Sequence, residues 1–161
     1  AMIALLRDGF HPQSEGGSIE LAGDGTPIID YVINDYLWDG VRRSWLSMAE
    51  IQFAAGAKAV RASHVDSPWF TSWEEAKAGI NALEFRSNAF TAGSAHCMGG
   101  LTMGEDQTRC LVDSNGKYHH LDNLYVFDGS VFPTSIGANP QLSIYGMACK
   151  QANKLLETLK A

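Results

Sequence analysis

Cysteine is scarce in this chain, and what there is lies scattered. Three residues in 161, Cys97, Cys110 and Cys149, fall at no CxxC spacing. An odd, dispersed set excludes a disulfide framework and a zinc ribbon, and points to a reducing, cytoplasmic compartment. Basic residues are outnumbered, 12 Lys and Arg against 18 Asp and Glu, for a formal charge of −6. That balance argues against nucleic acid as a partner, because phosphate binding rests on Lys and Arg. No uninterrupted apolar run approaches the ~18 residues of a membrane span. The first ten residues, AMIALLRDGF, lack the basic start and long apolar stretch of a secretory signal. No internal repeat or low-complexity tract occurs. A GxSxG elbow is missing as well: AGSAH puts Ser94 ahead of no second glycine. A hydrolase built on Ser94, His96 and Asp128 therefore loses its main support.

What is present is globular. The chain is 45% hydrophobic and 19% charged, and its length suits one domain, or one and a piece of another. The residue pattern predicts a β-hairpin from Ser18 to Ile33, with AGDG supplying the positive φ of a tight connection. DGVRRSWLSMAEIQFAAGA, residues 39–57, predicts a helix, with Val41, Trp45, Met48 and Gln52 on one face and Gly56 as its stop. AKAVRA, 57–62, predicts a strand. SWEE is a capping box, Ser72 with Glu75, opening a short helix to about Ala82. Residues 87–108, SNAFTAGSAHCMGGLTMGEDQT, have little periodicity and read as a long loop, a common home for function. RCLVD and LYVFD then predict strands around the turn SNGK, with LYVF buried on both faces. In the last helix Leu142, Tyr145, Cys149, Ala152, Leu156 and Leu159 form a narrow stripe, predicted to pack. Asn139 is expected at its N-cap and Pro140 at N1.

Three features gather in the final third: His96 followed by Gly99, Gly100 and Gly104; the turn Asp128-Gly129-Ser130; and GANPQLS, where a helix opens at Asn139. A helix N-terminus presents unpaired N–H groups and favours a group that becomes negative. Glycines let backbone approach a ligand closely. Each feature alone is ordinary.

Together they resemble the glucose–methanol–choline (GMC) family of flavin-dependent alcohol oxidases and dehydrogenases. SAHCMGGLTMG is similar to the family's His-x-x-Gly-(Thr or Gly)-x-x-Met-Gly, with Gly100 where the family usually has Thr. NLYVFDGSVFPTSIGANPQLSIYGMA resembles its Asn-Leu-x-Val-x-Asp-(Gly or Ala)-Ser followed by Asn-Pro. The resemblance implies an α+β fold: a substrate domain of antiparallel or mixed sheet packed with helices, plus a C-terminal strand and helix that complete the family's FAD-binding domain. Residues 1–95 would be the substrate-domain part, and 96–161 the catalytic loop and the segment returning to the FAD domain. It implies that His96 is the base that takes the proton of the alcohol while hydride leaves for flavin N5. Asn139 would orient the alcohol oxygen. Asp128, Gly129, Asn139, Pro140 and Gln141 would bind FAD, Asp128 and Gly129 near the ribityl and pyrophosphate and the helix start at the pyrimidine end. The family's GxGxxG turn for the ADP half has no counterpart in the chain. The chain is thus expected to be the C-terminal portion of a larger enzyme, with the N-terminal FAD-binding region as its missing partner, a small-molecule alcohol as substrate, and little FAD held by itself. Its unpaired strand and helix face predict a tendency to self-associate. A non-catalytic domain that docks on a separate flavin domain is the alternative.

Other candidates carry less. His119 and His120 with Cys110 match no common metal spacing, so no metal is expected. His64 and His11 read as surface or satisfied polar residues. The tryptophans at 38, 45, 69 and 73 read mainly as packing.

Overall fold

A computed structural model describes residues 1–14 and 16–160. It is a small α+β arrangement in two compact units, Ala1–Gly93 and Ser94–Ala161. Among the described residues, the only sheet has two antiparallel strands, and no helix is long and apolar enough to cross a membrane.

In the first unit, β1 (Gly17–Leu21) pairs with β2 (Pro27–Tyr31), with Ile19 opposite Ile29. The connection turns at Gly25, whose φ of +84 suits glycine. Asp24 closes it by accepting the Thr26 N–H at 2.9 Å. That bond, and a second to the Thr26 hydroxyl, hold the Asp24 carboxyl below its ordinary pKa. Ile19, Leu21, Ile29 and Tyr31 share one face of the hairpin, and all four are exposed.

Helix α1 (Asp35–Ala54) begins four residues earlier than its apolar spacing predicts, because Asn34 caps it. The Asn34 carboxamide oxygen accepts the Leu37 N–H at 2.9 Å. The helix stops as expected at Gly56, which takes a φ of +87. Its buried stripe is Val41, Trp45 and Ala49. Helix α2 (Trp73–Ala82) starts on Ser72, whose hydroxyl accepts the Glu75 N–H at 3.2 Å. The reciprocal arm of the box is displaced by one residue: Glu75 accepts from the Thr71 N–H and hydroxyl, both at 2.9 Å. Gly79 faces the Phe70 ring, where a Cβ would overlap it. Val41, Trp45, Ala49, Val60, Ala62, Phe70, Ala76 and Ile80 make the core.

The strand predicted over 57–62 shrinks to one bridge, Val60 to Phe70. Two residues on, the Ala62 N–H donates to the Ser67 hydroxyl, so the backbone turns away from any ladder. His64 is no surface residue. The residue is 3% exposed and its ring lies edge-on to Trp45. Nε2 lies 3.0 Å from the Glu84 carbonyl and Nδ1 accepts the Asp66 N–H, which leaves it a satisfied core histidine.

In the second unit, 109–113 and 124–128 do not become strands. They meet their neighbours at isolated bridges, Met103 to Val112, Val112 to Tyr118 and Lys117 to Tyr125. Asp113 curls the chain between them, accepting the Asn115 and Lys117 N–H groups. Leu124 is exposed and Tyr125 to Phe127 are half-buried, against the expectation of a strand covered on both faces. An apolar run becomes a strand only beside a continuous ladder, and each of these runs bridges its neighbours through a single residue, Val112 or Tyr125.

Helix α3 (Gln141–Lys160) forms as predicted, but packs on a different stripe. Ile144, Met147, Ala148, Gln151 and Leu155 turn inward, with Gln151 fully covered. The predicted stripe is outer except at Ala152, which is half-buried: Leu142 is 84% exposed and Leu159 74%. Both stripes have helical spacing, so periodicity could not choose between them.

Candidate active site

The site lies within the second unit. Backbone bonds tie the segment after His96 to a 3₁₀ turn, Gly129–Val131. Leu101 N–H donates to the Ser130 carbonyl at 3.0 Å, and Met103 N–H to that of Val131 at 2.9 Å. Asp128 opens the turn. Its carboxylate accepts the Ser130 N–H at 2.8 Å and the Ser130 hydroxyl as well. Gly129 is buried where three elements meet: a Cβ there would lie 3.0 Å from the Cys97 carbonyl oxygen and 3.1 Å from Ile144 Cδ1 of α3. The missing side chain lets the histidine loop and the first turn of α3 close on each other.

Nearby, Ala95, His96, Asn139, Pro140 and Gln141 line an open cleft of about 340 Å³. His96 is half-exposed, and its backbone N–H donates to the Ser94 hydroxyl at 3.2 Å. No partner for its ring nitrogens occurs among the described residues, so both remain available to a ligand.

Asn139 does not cap α3. The first helical bond runs from Ile144 N–H to the Pro140 carbonyl at 2.9 Å, which makes Pro140 the cap residue. Asn139 stands outside the helix, exposed, and its amide makes no hydrogen bond among the described residues. The N–H groups of Gln141, Leu142 and Ser143 precede the helical ladder and meet no acceptor among the described residues. The positive end of a 20-residue helix therefore opens beside the cleft.

Four of the six site residues read from the sequence thus line one cleft: His96, Asn139, Pro140 and Gln141. Asp128 and Gly129 do not line it; they build the turn behind it. Gln141 shows a contact that spacing did not reveal, its Nε2 donating to Tyr145 Oη at 2.7 Å. The glycines also divide by cause. Gly99 needs its φ of +92, Gly104 makes room for the Cys110 sulfur, and only Gly100 faces open space. His119 is occupied, with Nε2 2.9 Å from the Gly104 carbonyl.

The chain belongs to the GMC oxidoreductase family: the profile of the family's C-terminal portion, described as GMC oxidoreductase, matches residues 12–148. It is 29% identical over 152 residues to an uncharacterized GMC-type oxidoreductase of Sinorhizobium fredii, covering 91% of this chain and 29% of that protein. It is 37% identical over 84 residues to 6‴-hydroxyparomomycin C oxidase of Streptomyces lividus, covering 52% and 15%. Against a long-chain-alcohol oxidase of Arabidopsis thaliana, identity is 25% over 161 residues, covering 92% and 20%. The chain therefore spans between 15% and 29% of the length of these relatives.

Proposed function

We propose that the chain is the catalytic C-terminal part of an FAD-dependent oxidoreductase that oxidises a primary or secondary alcohol. The observation that carries this reading is the meeting of His96 and Asn139 in one cleft beside the free N–H end of α3. The residues suit a flavin. An unpartnered imidazole, an uncommitted amide and the positive end of a helix converge, and the helix end favours a ring system that takes up negative charge.

Bound FAD would supply the hydride acceptor. His96 takes the hydroxyl proton of the alcohol as its carbon gives up hydride, and the C–O bond becomes a carbonyl. An imidazole suits this step because an unpartnered ring nitrogen has a lone pair that can accept the proton. Asn139 donates to the alcohol oxygen and orients it, without acting as a base. Pro140 and Gln141 line the wall that would hold the pyrimidine end. The turn set by Asp128 and Gly129 would serve the ribityl and pyrophosphate part of the cofactor. The names of relatives, a long-chain-alcohol oxidase and a hydroxyparomomycin oxidase among them, support an alcohol as donor.

Residues 1–95 are read as part of the substrate domain, and 96–161 as the catalytic loop and the segment that returns to the FAD domain. The outer stripe of α3 is then a face for the N-terminal FAD-binding region. The 161-residue chain alone should hold little FAD and be inactive. It should also self-associate through exposed apolar residues such as Leu142 and Leu159. A monodisperse monomer by light scattering at high concentration would count against that.

The visible absorption spectrum tests the central claim. Flavin bands in the purified full-length protein, bleached by an alcohol, are expected. A full-length protein that takes up no added FAD refutes it.

A further inference from the structure

Tyr145 belongs by spacing to the apolar stripe of α3, yet its hydroxyl is engaged. Gln141 Nε2 donates to Tyr145 Oη at 2.7 Å, one helical turn apart. Gln141 lines the cleft with His96 and Asn139. A glutamine at an exposed first helical turn is otherwise spread over many rotamers, and its terminal amide rotates broadly. With one N–H held by the phenol, the second amide N–H and the carbonyl oxygen remain for a ligand. Those two groups, a donor beside an acceptor, complement the adjacent C=O and N–H of an imide edge.

We propose that Tyr145 is a positioning residue, fixing the Gln141 amide so that it reads the imide edge of a flavin. The inference rests on the flavin reading of this cleft. Tyr145 acts through Gln141 and touches neither the alcohol nor His96 in this role. Its contribution is to order the amide before the ligand arrives, which reduces the ordering cost of binding.

A double-mutant cycle on the full-length protein tests it, with FAD affinity read by fluorescence titration of the apoprotein and the flavin spectrum recorded for each variant. Tyr145→Phe keeps the ring and removes the hydroxyl. It should weaken FAD about 3- to 10-fold, the range of one lost hydrogen bond, and shift the visible flavin maxima. Gln141→Ala should do at least as much. Tyr145→Phe added to Gln141→Ala should then do nothing further, because its route is gone. Unchanged affinity and spectrum in Tyr145→Phe, or losses that simply add, overturn the positioning role while leaving the flavin reading intact. Wild-type protein that binds no FAD overturns both.

Discussion

Between Val41 and Ile80 the chain buries a continuous apolar core; between Ser94 and Lys160 the buried side chains are few, Val112, Val131 and Gln151 among them. In the first unit Trp45 meets Phe85, Phe90 and the His64 ring at centroid distances of 5.5 to 5.9 Å. In the second, shape comes from backbone bonds across loops and from glycines where Cβ atoms will not fit, as at Gly104 and Gly129. The difference separates two tasks. Burial of large apolar groups gives stability and tolerates small shifts. A cleft lined by both residues 96 and 139 draws on close backbone contact, which bulky side chains would prevent. The cost is exposure: the outer face of α3 lies uncovered.

The contrast is sharpest in activity. In the full-length protein, His96→Ala should slow flavin reduction by roughly 10²- to 10⁴-fold with FAD still bound, the scale of a lost general base. Stopped-flow absorbance measures it, and an unaltered rate would remove His96 from the chemistry. Stability should respond the other way. Trp45→Ala should cost about 3–5 kcal/mol by chemical denaturation, against little change for His96→Ala. Equal losses from the two would erase the distinction between the units.

Gly129→Val joins the two tasks. Its side chain would press on Cys97 and Ile144, and overpacking of this kind costs about 1–3 kcal/mol. Because the strain falls between the histidine loop and α3, turnover should drop more than stability implies. A variant that loses only stability would mean the cleft does not depend on that contact. Ser72→Ala should cost only about 1 kcal/mol, the usual worth of an N-cap.

The smallest effect is a pH dependence. The Thr71 N–H, and then its hydroxyl, hold the Glu75 carboxyl below the ordinary glutamate range. A carboxylate lowered on folding contributes stability that is present above its unfolded pKa and lost as pH falls through the folded value. The Thr108 hydroxyl, and then its N–H, do the same for Asp106 in the second unit. Glu75→Gln should flatten the acid limb of the denaturation profile, with Asp106→Asn flattening it independently. Identical limbs in wild type and both variants would show that these bonds do not persist in solution.

Local signals were legible where the chain answers to its neighbours in sequence. The hairpin around Gly25, the Gly56 stop and the Ser72 start need only a few adjacent residues. The residues proposed for the site were singled out by a resemblance of motifs; that His96 and Asn139 line one cleft is a feature no periodicity would have shown. Capping was misassigned at Asn139 because Asn-Pro suits both an N-cap and the residue before one; the Ile144 to Pro140 bond decides it. The early start of α1 was missed because Asn34 precedes the first clear apolar repeat.

The sequence by itself determined the helices, the turns and the family, since each is written in local geometry or in motifs. Only the tertiary structure decided which stripe of α3 turns inward, that LYVFD stays out of a strand, and that Gly129 brings the histidine loop against the helix. Those outcomes depend on which surfaces are within reach, and residues distant in sequence supply them.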